Sequence, residues 1–341
     1  MESWRRGKQL TGGSKNSSSD AQAEVVFVAD LGGTHLRVAT VDRDGKIYYR
    51  HMQPTPKAEK PNEIVRALID AVHEAEQKTA ELGGRISAVS LAVPGTVNVA
   101  EGVVVKAPNV PCLDGFRLAA ALESELEWPV ILENDANAAA IGEMWQGAGR
   151  GHRTLICVTL GTGVGGGIIL DGKLWRGADG SAAEIGHIGV DPFADVACMC
   201  GSRGCLEVYA SATAIVRMTR EARPRYPNSI LHKTEDLTSQ KIYQAGCAGD
   251  ELAIEVFRRM GVYLGIGLAS LINVLNPEIV VIGGGLSNGW DLFEKHMHQQ
   301  VIERAFPIPA RRVKIVRAEC GDDAGLLGAA RLAFEEQAQE K

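Results

Sequence analysis

Two stretches of this chain echo one another: VVFVADLGGTHLRVATVDRDGK over residues 25–46 and LICVTLGTGVGGGIILDGK over residues 155–173. Each reads as a Val/Ile-rich strand, a glycine turn, a second strand and a closing Asp-Gly-Lys turn. The glycine turns begin at Leu31 and Leu160, a domain's length apart, so the echo implies two related halves rather than a short solenoid repeat. A boundary near residue 133 follows, with a cleft expected between the halves. Further apolar runs at 86–92, 129–133 and 278–282 alternate with helical stretches near 61–82, 115–126, 136–146, 250–275 and 289–304, which is the pattern of an α/β protein. Within 250–275, Val256, Met260, Leu264, Leu268, Leu271 and Leu275 recur at steps of three or four and predict a core-facing stripe. Gly261, Gly265 and Gly267 would let a neighbouring backbone come close.

Composition narrows the partners. Seven cysteines in 341 residues are too few for a disulfide scaffold and point to the cell interior, hence a cytoplasmic protein. Residues 1–23 carry basic residues but no apolar segment, so they read as a disordered tail rather than a signal or anchor. No run of about 18 apolar residues occurs, and no membrane partner is expected. A net charge of −6, without a basic stripe or finger-type Cys/His spacing, argues against nucleic acid and for small molecules.

Backbone N–H groups in a turn without Cβ atoms can converge on a phosphate, so Gly32, Gly33 and Thr34 in one turn and Gly161, Thr162 and Gly163 in the other are candidate nucleotide contacts. Either turn alone is equally an ordinary hairpin; the pairing favours the phosphate reading. Gly161, Gly163 and Gly166 also satisfy G-x-G-x-x-G, but a dinucleotide site needs a helix next, and GGIIL reads as strand. No P-loop motif occurs. Gly283, Gly284 and Gly285 follow a strand and precede a helix, a position that suits the base or ribose of a nucleotide as well as a plain turn. Asp30, just before the first turn, suits a water-coordinated Mg²⁺ on the phosphates, or merely steadies its own turn.

Glu133-Asn134-Asp135 joins a strand to an alanine-rich helix. An Asp or Asn at such a start is commonly an N-cap, yet the carboxyl end of a strand at the junction of halves is also where substrates bind. Phosphoryl transfer asks for positioning, charge stabilisation and a carboxylate to take the hydroxyl proton. Asp135 is the candidate base, with Asn134 beside it to orient the acceptor hydroxyl.

His187, Cys198, Cys200 and Cys205 supply one imidazole and three thiols, the donor set of a closed structural Zn²⁺ site. A redox pair would more typically read C-x-x-C, and C-x-C cannot easily close a relaxed disulfide. A closed site does no chemistry. It would shape a loop carrying Glu184, His187 and Glu207, which suit a polyol.

DLGGTHLRVA, ENDANAAA, LGTGVGGGII, AEIGHIGV, CMCGSRGCLE and VIGGGLS together resemble the ROK family of bacterial sugar kinases and sugar-responsive repressors, from about residue 24 to 338. The resemblance implies the two-lobed actin-like, ribonuclease H-like ATPase fold, with lobes at 24–133 and 134–321 and a last helix, 322–338, returning to the first lobe with Gly325 near the hinge. It implies an ATP-dependent hexose kinase, of the glucokinase type, that uses Mg²⁺ and structural Zn²⁺. Fructose, mannose, N-acetylglucosamine or N-acetylmannosamine are alternative acceptors, and a silent sugar sensor is the rival class. It further implies Asp135 as base, sugar contacts at Asn109, Asn134, Asp135, Glu184, His187 and Glu207, zinc ligands at His187, Cys198, Cys200 and Cys205, and a homodimer. His35 and Ala183 depart from the family's usual Lys and Gly. The family's repressors carry a helix-turn-helix ahead of this unit, which 23 polar residues do not supply; the enzyme reading is therefore favoured.

Overall fold

The computed structural model describes residues 22–339. The tail expected over 1–23 lies outside the described residues except for Gln22 and Ala23, and Ala23 already opens the first strand. The chain divides into two compact units, one running to Trp145 and resuming at Asp323, the other spanning Gln146–Asp322.

In the first unit, β1 (Ala23–Leu31), β2 (His35–Asp42) and β3 (Ile47–Pro54) form an antiparallel meander, and helix α1 (Pro61–Glu81) leads to β4 (Gly84–Val93). A small hairpin, β5 (Thr96–Asn98) and β6 (Val103–Lys106), and helix α2 (Leu118–Glu123) precede β7 (Val130–Asn134), which runs straight into α3 (Asp135–Gln146). The sheet order is β3-β2-β1-β4-β7, with β1, β4 and β7 parallel. Val25 to Ala29 are wholly buried, as a parallel strand covered on both faces requires.

The second unit repeats that plan. Strands β8 (Leu155–Leu160), β9 (Val164–Leu170) and β10 (Lys173–Leu174) form the meander. Helices α4 (Glu207–Ala210), α5 (Ala212–Ala222), α6 (Ser239–Cys247) and α7 (Glu251–Leu275) lead to β11 (Ile279–Gly283), then α8 (Trp290–Arg304), α9 (Pro307–Arg312) and β12 (Lys314–Arg317). The order β10-β9-β8-β11-β12, again antiparallel in the meander and parallel beyond it, matches the first sheet strand for strand. This duplicated α/β sheet is the architecture of the actin-like ATPases. Strand β9 occupies the place where a dinucleotide fold needs a helix.

Helix α7 starts where Asp250 accepts the Ala253 N–H (3.0 Å) and stops at Asn276 in the left-handed conformation. Its stripe of Val256, Met260, Leu264 and Leu268 is buried as expected, but then shifts to Ile272, leaving Leu271 and Leu275 half-buried. A 3.6-residue period drifts off a strict step of four. Gly261 and Gly265 admit the backbone carbonyls of Phe293 and Met297 on α8.

One difference from the sequence reading concerns the first unit. It extends to Trp145 rather than 133, because α3 continues from β7 and packs within this unit. The chain closes with α10 (Ala324–Gln339), which lies on β1, β2, β4 and β7. Helices α3 and α10 touch backbone to backbone: a Cβ on Gly328 would fall on the Ala138 carbonyl, and one on Gly142 on the Ala324 carbonyl. Among the described residues no helix is long and apolar enough to cross a membrane. Gly328→Ala is expected to cost about 3 kcal/mol, since backbone rather than a flexible side chain must move; a thermal unfolding midpoint unchanged from the parent would contradict this packing.

Candidate active site

Each glycine turn closes its hairpin with one backbone bond, from Gly32 N–H to the His35 carbonyl and from Gly161 N–H to the Gly163 carbonyl, both 3.0 Å. The N–H groups of Gly33 and Thr34, and of Thr162 and Gly163, have no hydrogen-bond partner among the described residues. Both turns thus present a pair of backbone donors toward their exposed side. In the first unit, Gly33 lies against Asn109: a Cβ there would come within 2.9 Å of the Asn109 Cβ. The Thr55 hydroxyl donates to the Gly32 carbonyl (2.6 Å) and fixes the turn from behind.

In the second unit the turn is held by its neighbours. Ala212 N–H donates to the Gly161 carbonyl and the Thr213 hydroxyl to the Thr162 carbonyl, both 2.8 Å. The Val164 N–H donates to Glu207 Oε2 at 2.9 Å, and only a glycine at 163 leaves room for that carboxylate. Gly284, at φ +81°, is stacked on the Leu160 backbone, so the third glycine cluster meets this same turn.

Asp135 opens α3 directly from β7, but the N-cap function falls to Asn134. Its Oδ1 accepts the N–H groups of Ala136 (2.9 Å) and Asn137 (3.0 Å), and its Nδ2 donates to the Gly95 carbonyl (2.8 Å) and to Asp135 Oδ1 (3.2 Å). Asn134 thereby orients the carboxylate, and direct contact with a substrate would require its amide to give up one of these bonds. Asp135 Oδ1 also accepts the Ala136 N–H (2.8 Å), which leaves Oδ2 to act on a ligand. Burial, and then the charge of Asp30, push the Asp135 carboxyl up to about 7. Asp30 itself pairs with Arg37 (3.1 Å), so its charge is already partly compensated.

Glu133 was not singled out from sequence. Its side chain is 2% exposed, and its Oε1 accepts the Asn134 N–H (2.9 Å) and the Asn137 amide (3.0 Å), pinning the strand–helix junction from beneath. The signal available in sequence was a glutamate ending an otherwise apolar strand.

His187, Cys198, Cys200 and Cys205 converge, with all four donor atoms within 4.8 Å of one another. His187 Nδ1 lies 3.5 Å from Cys198 Sγ, and Cys200 Sγ lies 3.7 Å from Cys205 Sγ. Tetrahedral coordination at about 2.3 Å to sulfur and about 2.1 Å to nitrogen gives edges of about 3.8 and 3.6 Å, so the cluster fits Zn²⁺. The other ring nitrogen, His187 Nε2, faces Glu184 Oε2 at 3.8 Å. Ala183, beside Glu184, sits at φ +64°, a conformation that strains any residue with a Cβ.

The model of the ROK family matches residues 26–336. The glucokinase of Halalkalibacterium halodurans is 38% identical over 88% of this chain and 92% of its own length. The xylose repressor of Caldicellulosiruptor bescii is 30% identical over 88% of this chain and 75% of its own. Among solved structures, a ROK family glucokinase from Streptomyces griseus in complex with glucose and AMPPNP superposes with a TM-score of 0.77 at 35% identity, covering 91% of this chain and 99% of that one. With the family model spanning nearly every described residue, this chain belongs to the ROK family.

Proposed function

We propose that the protein transfers the γ-phosphoryl group of ATP to the 6-hydroxyl of glucose, yielding glucose 6-phosphate and ADP. The observation that carries this reading is the carboxylate of Asp135, held by Asn134 and raised to about 7, with one oxygen uncommitted. A half-buried carboxylate tuned toward neutrality is what a general base for a sugar hydroxyl needs, whereas binding alone requires no such group. The similarity to glucokinases, one of them solved with glucose and AMPPNP, supports the acceptor and the donor.

In this reading the sugar contacts are Asn109, Asn134, Asp135, Glu184, His187 and Glu207. Asp135 Oδ2 takes the proton of the 6-hydroxyl as that oxygen attacks the γ-phosphorus and the bond to the β-bridging oxygen breaks. The free N–H groups of Gly33, Thr34, Thr162 and Gly163 receive phosphate oxygens, while Gly283, Gly284 and Gly285 adjoin the nucleoside end. Mg²⁺, when bound near Asp30, supplies charge neutralisation of the phosphates. Zn²⁺ on His187, Cys198, Cys200 and Cys205 supplies structure, fixing the ring whose Nε2 side serves the sugar.

A base with its pKa near 7 must lose its proton to work, so kcat/KM for glucose should fall about tenfold per pH unit below 7 and level off above 8. Asp135→Asn should remove that limb together with at least a hundredfold of the rate. An unaltered acidic limb in the variant would assign the titration to another group. Stoichiometric zinc should co-purify, and chelation should raise the Kd for glucose in calorimetry; metal-free protein of undiminished affinity would contradict the structural role given to the cluster.

A further inference from the structure

Asp191 lies four residues beyond His187 and belongs to no site described so far. Its Oδ2 accepts the hydroxyl protons of both Tyr209 (3.0 Å) and Tyr263 (3.1 Å), and its Oδ1 accepts the Phe193 N–H (3.3 Å). The two tyrosine rings stack at 3.7 Å between centroids and 16° between planes. Tyr209 is on α4, two residues after Glu207, and Tyr263 is on α7, the long core helix of the same unit.

The backbone around this clamp is already zipped. Val190 N–H donates to the Gly204 carbonyl (2.9 Å), Leu206 N–H donates to the Ile188 carbonyl (2.9 Å), and Gly189 bridges Cys205. Residues 188–190 thus pair antiparallel with 204–206, which puts His187 and Glu207 at the same end of the pair. The zip fixes these segments to one another, and the metal cluster, whose four ligands all lie within the same loop, does no more. The second segment is tied to its surroundings by Glu207, which accepts the Val164 N–H, and by the Val208 carbonyl, which accepts from Arg217 (2.6 Å). Tyr263 is the point at which a side-chain hydrogen bond ties the pair to α7, and a neutral donor to a half-buried carboxylate is a strong, directional tie.

We propose that Asp191, with Tyr209 and Tyr263, is the positioning device that sets where His187 and Glu207 stand for the sugar, acting independently of the metal. The inference rests on the sugar-kinase reading above. It makes Asp191 and the two tyrosines positioning residues rather than catalytic ones, since none is placed against substrate.

The test compares Tyr263→Phe, Asp191→Ala and Asp191→Asn with the parent in full-length zinc-loaded protein. Tyr263→Phe keeps the ring stack and removes only the hydroxyl. It should raise KM and calorimetric Kd for glucose about tenfold, with kcat and KM for ATP within about twofold and zinc content unchanged. Asp191→Ala should do more, and Asp191→Asn, which retains an acceptor oxygen, should recover most of the affinity. Parental glucose affinity in both Tyr263→Phe and Asp191→Ala overturns the proposal. So does loss of zinc in parallel with loss of affinity, which would assign the effect to the metal cluster. If the parent is silent with every hexose, the kinase reading fails; the clamp is then judged by amide hydrogen exchange at Val190 and Leu206, which must quicken in Tyr263→Phe for the clamp to stand.

Discussion

Each of this protein's two glycine hairpins leaves backbone N–H groups that no group among the described residues satisfies. Gly33 and Thr34 in one unit, and Thr162 and Gly163 in the other, present such donors at the end of a strand buried along most of its length. A buried donor without a partner is costly, so the turns must stand at the surface or face an anion. Much of the surrounding architecture follows from holding them still. Thr55 grips the first turn, while Ala212, Thr213 and Glu207 grip the second and Gly284 lies flat against its root.

Acid–base chemistry is built from a second constraint, the junction of β7 with α3. Asn134 takes over capping, Glu133 braces it from below, and Asp135 is left with an oxygen to spend on a ligand. Close contact between α3 and α10 through Gly142 and Gly328 seats that junction within the first unit. Asp30 contributes charge rather than contact: its carboxylate, although paired with Arg37, still helps raise the carboxyl of Asp135. In the second unit the cluster of His187, Cys198, Cys200 and Cys205 precedes Glu207, which braces the glycine turn through the Val164 N–H.

How much of this was legible in the sequence depended on how local the signal is. The duplicated sheet was, because glycines and Val/Ile runs report directly on buried strand and tight turn. The long helices were, through their periodicity. Strand β3 was not: half-exposed along its length and carrying Tyr48, Tyr49, Arg50 and His51, it shows no clean alternation. The edge strand β12 and the short helices α4 to α6 and α9 escaped for the same reason, each being fixed by packing rather than by pattern. At the site, Asp135 and the four metal-ligand candidates were readable from residue type and spacing. That Asn134 rather than Asp135 caps the helix and that Glu133 is buried beneath them turn on side-chain geometry within four residues, which spacing does not reveal, whereas Asp191 is gripped by Tyr209 and Tyr263 across 18 and 72 residues.

The most direct test of the account is ADP release from MgATP by the purified protein, with glucose set beside fructose, mannose, N-acetylglucosamine and N-acetylmannosamine, and the phosphorylated carbon identified in the product. The account predicts a clear preference for glucose and phosphate on its 6-oxygen. Folded, zinc-loaded protein that releases no ADP with any of these sugars would contradict it and move the chain to the sugar-sensing side of its family.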